Sequence, residues 1–465
     1  MFTTGDTIAA PATTYGGALA IIRVSGPQAL EAVDGCFESP TGKRLAMQRG
    51  YTLHFGEIRS AEGDFIDQVV VSVFRGPSSY TGEDMAEISC HGSRWIVDRI
   101  INVLIHNGVR VASAGEFTAR AFLAGKMDLA QAEAVADIIA AENKASHDIA
   151  AMQLKGSYSD GIAQLRERLL HLIALLELEL DFSEEDVTFA DRGELMSLLG
   201  TLKIEIERLL KSFELGNAVK DGVTVAIVGA QNVGKSTLFN RLVGEDRAMV
   251  SDIAGTTRDS IEEVVTLGGI GFRFIDTAGL HESNDLLERQ GMERSVRALE
   301  KARIVLYMTE LDRIGLLANE LAALRSSIKG VLAIVVNKCD KGDVCGEQIS
   351  ADVAKNIETE VSSILKISAK TGENIEALEK YLVGCVEAER VGSGSIIMSN
   401  ARHYESMHRG LEALEGAIAG IETKMPPDLI AEDLRMVMTC LGEITGEITS
   451  DEILGQIFSK FCIGK

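Results

Sequence analysis

A multidomain chain of mixed α+β and α/β class is predicted by three features: apolar spacing that changes near residue 125, a second change near residue 217, and the placement of proline. All six prolines fall at 11, 27, 40, 77, 426 and 427, so none lies between Ser78 and Met425. Regular helices and central strands are favoured there, because proline breaks both. Over 1–124 the short runs ALAIIRVSG, YTLHFGEI, DQVVVSVFRG and MAEISCHG are separated by Gly, Pro and Ser, which reads as an N-terminal α+β domain. Over 125–216 the period lengthens, and Ile162, Leu165, Leu169, Leu172 and Leu176 recur as one helix face does. Over 217–387 strand-like runs alternate with helical ones (VTVAIVG, FRFIDTAG, ARIVLYMTE, VLAIVVNKCD, ILKISAKTG), the pattern of a doubly wound parallel sheet. Over 388–465 helical spacing returns at Ile430, Leu434, Val437, Leu441 and Ile444, so the α/β unit reads as an insertion into an all-helical central domain. The last helix opens on Thr449, Ser450, Asp451 and Glu452, a capping-box arrangement, and presents Ile453, Leu454, Ile457, Phe458 and Phe461 inward.

Length and composition bound the function. At 465 residues and 46% apolar content, the chain has room for about three domains with their own cores. A formal charge of −23 means that contact with nucleic acid must use local basic patches, and bulk attraction to anionic membrane is not expected. Seven cysteines at 36, 90, 339, 345, 385, 440 and 462 form no CxxC pair, which suits a reducing compartment and argues against structural zinc. The N-terminus has no basic segment before an apolar run, and no stretch reaches the ~18 apolar residues of a membrane span. A soluble, cytoplasmic protein is expected, with no membrane partner. The acidic stretch from Leu176 to Glu194 reads as a solvated helix end and loop. His91 reads as a satisfied core histidine.

The chemistry lies in four motifs in order. GAQNVGKST, Gly229 to Thr237, matches GxxxxGK[ST] between a strand and a helix. Glycines let backbone N–H groups turn onto phosphates, Lys235 reaches the β and γ phosphates, and the Ser236 hydroxyl ligates magnesium. In NKCD, the Asp340 carboxylate can accept from guanine N1–H and the 2-amino group, with Asn337 and Lys338 beside it; adenine lacks that donor pair, so GTP is favoured over ATP. SAK, Ser368, Ala369 and Lys370, follows the next strand and offers a backbone N–H to guanine O6. DTAG, Asp276, Thr277, Ala278 and Gly279, ends another strand and supplies a carboxylate to the magnesium shell and an N–H to the γ phosphate. Together these resemble a Ras-like P-loop GTPase domain of the translation-factor-like branch, except that Leu280 stands where Ras-type enzymes carry the water-orienting glutamine.

Asn232 in the phosphate loop, GTTRD at 255–259, DTAGLHESNDLLERQG and the ending FCIGK, with the N-terminal stretches DTIAAPAT, SYTGEDMAEISCHG and GEFTARAFLAGKMDLAQAEAVADII, resemble the MnmE (TrmE) family of tRNA modification GTPases along the whole chain. The resemblance implies a first domain that binds a tetrahydrofolate derivative (5-formyl- or 5,10-methylene-) and dimerises. It places potassium ligands on Asn232, Ser251, Ile253 and Thr256, magnesium ligands on Ser236 and Thr257, and the catalytic water-orienting role on Glu288. GTP contacts then fall on Asn232, Val233, Gly234, Lys235, Ser236 and Thr237, and on Ser251, Asp252, Ile253, Ala254, Gly255, Thr256 and Thr257. Folate contacts fall on Arg23, Glu87, Lys126 and Lys465, with Arg23 and Glu87 able to project from one sheet face. Cys462 is read either as a reactive thiol or as a small apolar residue packed beside Phe461. Implied partners are a second copy of the chain, tRNA, and an FAD-dependent flavoprotein of the MnmG (GidA) type in a heterotetramer. The implied reaction adds an aminomethyl or carboxymethylaminomethyl group at C5 of wobble uridine, position 34. A GTP-switched ribosome or RNA assembly factor is the rival, sharing the GTPase domain but needing neither the N-terminal stretches nor the tail.

Overall fold

The computed structural model describes residues 5–181, 192–247, 263–275, 299–341, 361–393, 396–462 and 464. The chain divides into two compact units, one of Met1–Ile139, Met152–Arg192 and Glu412–Lys465, the other of Ala140–Ala151 and Gly193–Leu411. Among the described residues no helix is long and apolar enough to cross a membrane.

The first unit is built on a seven-stranded sheet. Its strands are β1 (Ile8–Pro11), β2 (Leu19–Ser25), β3 (Phe37–Glu38), β4 (Thr52–Arg59), β5 (Phe65–Phe74), β6 (Met85–His91) and β7 (Arg110–Val111), in the spatial order β3-β4-β5-β6-β2-β1-β7. Every pairing is antiparallel except β1 with β7. Alternation decides which face is covered: Ile22, Val24, Val69, Val71, Val73 and Ile88 pack with Leu30 and Val33 of helix Ala29–Asp34 and with Val97, Ile100 and Leu104 of helix Arg94–His106. Leu53, Phe55 and Val70 on the strands stay exposed, with Phe55 directly opposite Val70. The four runs expected as strands are β2, β4, β5 and β6.

Helices complete this unit. On Ser157–Asp181 the residues Ile162, Leu165, Leu169, Leu172 and Leu176 are all buried, and so are Ile430, Leu434, Val437, Leu441 and Ile444 on Pro427–Thr445, which packs against it. The last helix, Asp451–Phe458, is capped by Ser450, whose hydroxyl accepts from the Ile453 N–H at 3.4 Å; Ile453 and not Glu452 thus holds the third helical position, so the cap is a single hydroxyl rather than the expected capping box. Leu454, Ile457, Phe458 and Phe461 are buried against Ala119, Leu129 and Ala132.

The second unit carries a six-stranded sheet. Its strands are β8 (Val223–Gly229), β9 (Glu263–Leu267), β10 (Ile270–Ile275), β11 (Ile304–Glu310), β12 (Val331–Asn337) and β13 (Ser363–Lys366), in the order β13-β12-β11-β8-β10-β9. All neighbours run parallel except the edge strand β9. Both faces are covered, which explains the uninterrupted apolar runs. Val225, Ile227, Phe272, Phe274, Leu306 and Val335 face one core, and Ala226, Val228, Val305, Tyr307, Ile334 and Val336 face the other. Ala145 and Ile149 of helix Lys144–Leu154 and Leu215 and Val219 of helix Arg192–Asp221 belong to the first of these cores, and the Ala145 N–H donates to the Gly269 carbonyl at 2.9 Å.

Candidate functional site

In a parallel sheet, ligands bind at the carboxyl ends of the strands. The three motifs that fall within the described residues meet there. The phosphate loop leaves β8 and enters helix Lys235–Arg247. Asn232 takes a left-handed backbone at φ 62° and Gly234 one at φ 99°. A Cβ on Gly234 would stand 2.2 Å from Asn337 Nδ2, so only glycine fits this bend. The Lys235 ammonium donates to the carbonyls of Gly229 at 2.9 Å and Ala230 at 2.8 Å, and burial pulls its pKa below that of an ordinary lysine. Ser236 and Thr237 follow in the first helical turn, where N–H groups and the helix dipole favour an anion.

Asn337 closes β12 and clasps two loops at once: its Nδ2 donates to the Val233 carbonyl at 2.7 Å, and its Oδ1 accepts the Ala369 N–H at 2.9 Å. Lys338, itself at φ 64°, donates to the Asn232 carbonyl at 2.9 Å and pairs with Glu310. The Asp340 carboxylate accepts from the Ser368 hydroxyl at 2.7 Å, and this hydrogen bond holds its pKa below the usual aspartate value. Arg241 fixes the SAK stretch from the helix side, donating to the carbonyls of Ala369 at 2.9 Å and Lys370 at 2.7 Å. Of the backbone N–H groups that the SAK stretch offers, that of Ala369 is engaged by Asn337 within the protein. Neither Arg241 nor Glu310 is recognisable in the sequence, where each reads as a solvated charge. Ser251, Asp252, Ile253, Ala254, Gly255, Thr256 and Thr257, the DTAG residues Asp276, Thr277, Ala278 and Gly279, and Glu288 lie outside the described residues.

A second cluster lies in the first unit. Arg23 on β2 and Glu87 on β6 are cross-strand partners, joined by Arg23 Nε and Nη2 to Glu87 Oε1 at 3.0 and 2.8 Å. The same guanidinium reaches the Gly464 carbonyl at 3.4 Å and lies over the rings of Tyr80 and Phe117, 5.1 and 5.6 Å from their centroids. Gly464 has φ 96°, and a Cβ there would stand 2.1 Å from the Pro11 carbonyl oxygen, so the tail is seated against the end of β1 by a close approach open to glycine alone. Lys126 is exposed and donates to the Pro77 carbonyl at 2.8 Å; Lys465 lies outside the described residues. Cys462 is exposed, whereas Phe461 before it is buried. His91 is also exposed rather than core, and is held by Asp67 at 2.8 Å.

A charge network centred on buried Arg120 and Glu116, which sequence reading missed, also lies in this unit. Arg120, 1% exposed, pairs with Asp6, Glu83 and Glu116 at 2.5, 3.2 and 3.1 Å, and Arg110 pairs with Glu116 at 2.6 Å. Burial pushes the Glu116 carboxyl up, but hydrogen bonds from Arg110 and the Ser113 N–H outweigh it and leave the pKa below the usual glutamate value.

Comparison with known proteins follows the same division. Residues 7–126 match the family described as GTP-binding protein TrmE N-terminus, and residues 129–462 match the MnmE helical domain. The tRNA modification GTPase MnmE of Flavobacterium psychrophilum is 46% identical, over 99% of both chains. That of Flavobacterium johnsoniae is also 46% identical, and that of Bacteroides thetaiotaomicron 45%, each over 99% of both chains. With likeness at this level along the full length and the phosphate and base motifs assembled at one end of the parallel sheet, the chain belongs to the MnmE (TrmE) family of tRNA modification GTPases.

Proposed function

We propose that this protein works as a cytoplasmic homodimer which, with an FAD-dependent MnmG (GidA)-type partner in a heterotetramer, adds a carboxymethylaminomethyl or aminomethyl group at C5 of the wobble uridine of certain tRNAs. The one-carbon unit comes from a tetrahydrofolate derivative, and GTP hydrolysis drives the conformational cycle. The chain is divided functionally into 1–124 for folate binding and dimerisation, 125–216 and 388–465 for the helical domain, and 217–387 for the GTPase domain. One observation carries the reading. Besides the phosphate and base motifs, the chain seats its tail at Gly464 against the Arg23–Glu87 pair of the N-terminal sheet, and an assembly factor needs only the first.

The residues of each site suit their tasks. Lys235 and the first helical turn bind the phosphates, and Asp340, held in place by the Ser368 hydroxyl, accepts from the guanine edge. Glu288 orients the attacking water in place of the missing glutamine. The donor types at the loop bend and helix start fit the two cations: Asn232 offers an amide oxygen from a left-handed position and Ser236 a hydroxyl. Magnesium held by Ser236 and Thr257 would neutralise phosphate charge. Potassium held by Asn232, Ser251, Ile253 and Thr256 would supply the positive charge that an arginine supplies elsewhere, once two GTPase domains meet. At the other site, Arg23, Lys126 and Lys465 present cations to folate carboxylates, Glu87 accepts from pterin N–H groups, and exposed Cys462 stands as the candidate thiol beside the one-carbon unit. The apolar sheet face of Leu53, Phe55 and Val70 supports the dimer.

The test is mass spectrometry of nucleosides from total tRNA of cells lacking the protein and of cells complemented with it. Loss of C5-modified uridine and its return on complementation are expected. Unchanged uridines would overturn the reading and leave the assembly factor in its place.

A further inference from the structure

Glu310 stands where an acid is costly. It is the last residue of β11, in register with Asn337, and so lies at the carboxyl edge of the sheet where the phosphate loop turns. A carboxylate beside a polyphosphate site repels the ligand unless a cation holds it. The cation is Lys338: the two side chains are 20% and 30% exposed, and the ammonium that pairs with Glu310 also donates to the Asn232 carbonyl at 2.9 Å. Lys235, the lysine of the phosphate loop, meets only carbonyl oxygens among its described bonds. The two lysines therefore do different jobs. Lys235 keeps its charge for the ligand, whereas Lys338 is committed to the protein. With Asn337 on the neighbouring Val233 carbonyl at 2.7 Å, Lys338 fastens the base-reading strand end to two successive residues of the phosphate loop.

We propose that Glu310, which lies in none of the four nucleotide motifs, is a positioning residue for nucleotide binding: its carboxylate holds the Lys338 ammonium on the Asn232 carbonyl and so ties the base-reading loop to the phosphate loop. This rests on the reading of Gly229 to Thr237 as the phosphate loop. Asn232 sits at φ 62°, a conformation that a non-glycine residue keeps only when its surroundings hold it. Freed of Glu310, Lys338 has a second choice, the phosphate itself, and the loop loses the carbonyl anchor.

The experiment is a double-mutant cycle on GDP release and affinity in the full-length protein, with Glu310→Leu, Lys338→Ala and the pair. Glu310→Leu is expected to weaken GDP by about tenfold, the scale of a lost charged hydrogen bond. The double variant should be no weaker than Lys338→Ala alone. Glu310→Gln keeps an oxygen acceptor and should fall between wild type and Glu310→Leu, with an unchanged midpoint of thermal unfolding in the absence of nucleotide; it also carries the test if Glu310→Leu does not fold. Wild-type affinity in the Glu310 variants, or effects of the two single changes that add in full, would overturn the proposal. Lys235→Ala separates the underlying reading: if GDP still binds that variant at wild-type strength, the phosphate loop itself has been misassigned.

Discussion

The two units build their sites from opposite uses of charge. In the first, cations meet carboxylates: Arg23 meets Glu87, Arg110 meets Glu116, and Arg120 meets Asp6, Glu83 and Glu116. At the nucleotide site of the second, cations mostly meet backbone carbonyls, with Lys235 on Gly229 and Ala230, Arg241 on Ala369 and Lys370, and Lys338 on Asn232, Lys338 alone being also paired with a carboxylate, that of Glu310. A carbonyl oxygen orients a cation without cancelling its charge. A site for a polyanion can use that, because its field must remain uncompensated until the ligand arrives. The ion-paired unit is organised the other way, as a scaffold whose buried charges must all be satisfied before it holds together.

The largest effect expected from this contrast is on the scaffold. Glu116→Leu strips Arg110 of its shortest partner and leaves Arg120 buried with less opposing charge, which should cost the first unit about 3–5 kcal/mol. Trp95, the only tryptophan, lies in that unit, so its fluorescence in a urea titration reads the change while GDP binding stays at wild-type strength. The pH dependence follows in sign. Asp6 and Glu116 have folded pKa values below their ordinary 3.8 and 4.5, so their contribution is complete above those values and is lost as pH falls through the lowered ones. Acid should therefore destabilise the first unit steeply in the wild type and more gently in Glu116→Leu. A loss under about 1 kcal/mol at neutral pH would place the pair among ordinary surface ion pairs and remove the contrast.

Next in size is a backbone change. Gly234→Ala puts a Cβ 2.2 Å from Asn337 Nδ2 at φ 99°, which must displace either the phosphate loop or the Asn337 clasp. GDP affinity should fall on the order of a hundredfold, two decades at 1.4 kcal/mol each. The urea curve followed by Trp95 should not move. If both readouts change together, the two units do not carry their sites separately, and the comparison loses its basis.

What the sequence disclosed follows the range of the forces involved. Helix faces such as Ile162 to Leu176 repeat within one element, so spacing alone located them. The phosphate loop was legible for the same reason: Gly234 and Lys235 are adjacent, and the strand and helix that frame them are local. The close approach of Gly464 to Pro11 joins the two ends of the chain, 453 residues apart, and no local pattern discloses it. Strands β1, β3, β7 and β9 escaped because four or fewer of their residues alternate cleanly or because the strand sits at an edge with one partner. The charge network escaped completely, since Arg120 and Asp6 are 114 residues apart and nothing local distinguishes a helix-interior arginine from a solvated one. Glu310 and Arg241 escaped likewise. His91 was read correctly as satisfied and wrongly as buried, because a histidine at a strand end can point either way and only Asp67 decides it.

The smallest expected effect tests a carboxylate of the second unit that no cation holds among its described bonds. Asp340 is a carboxylate within a nucleotide site, and its partner is a neutral hydroxyl, Ser368 Oγ at 2.7 Å, rather than a cation. Ser368 is fully buried, so its hydroxyl is committed, and it steers the carboxylate without neutralising it. Removing it by Ser368→Ala leaves Asp340 ionised at neutral pH, because the hydrogen bond lowers a pKa that ordinarily lies at 3.8, far below 7. The loss is therefore one of orientation, and GDP affinity should fall only about threefold, the scale of one neutral hydrogen bond. Lowering the pH separates orientation from charge. The wild-type carboxylate stays ionised to lower pH than the variant's, so the ratio of the two affinities should widen as pH falls toward about 4. A constant ratio across that range would mean that Ser368 acts on geometry alone. A drop of a hundredfold at neutral pH would mean that the hydroxyl is part of the loop's architecture, as the paired carboxylates of the first unit are part of theirs.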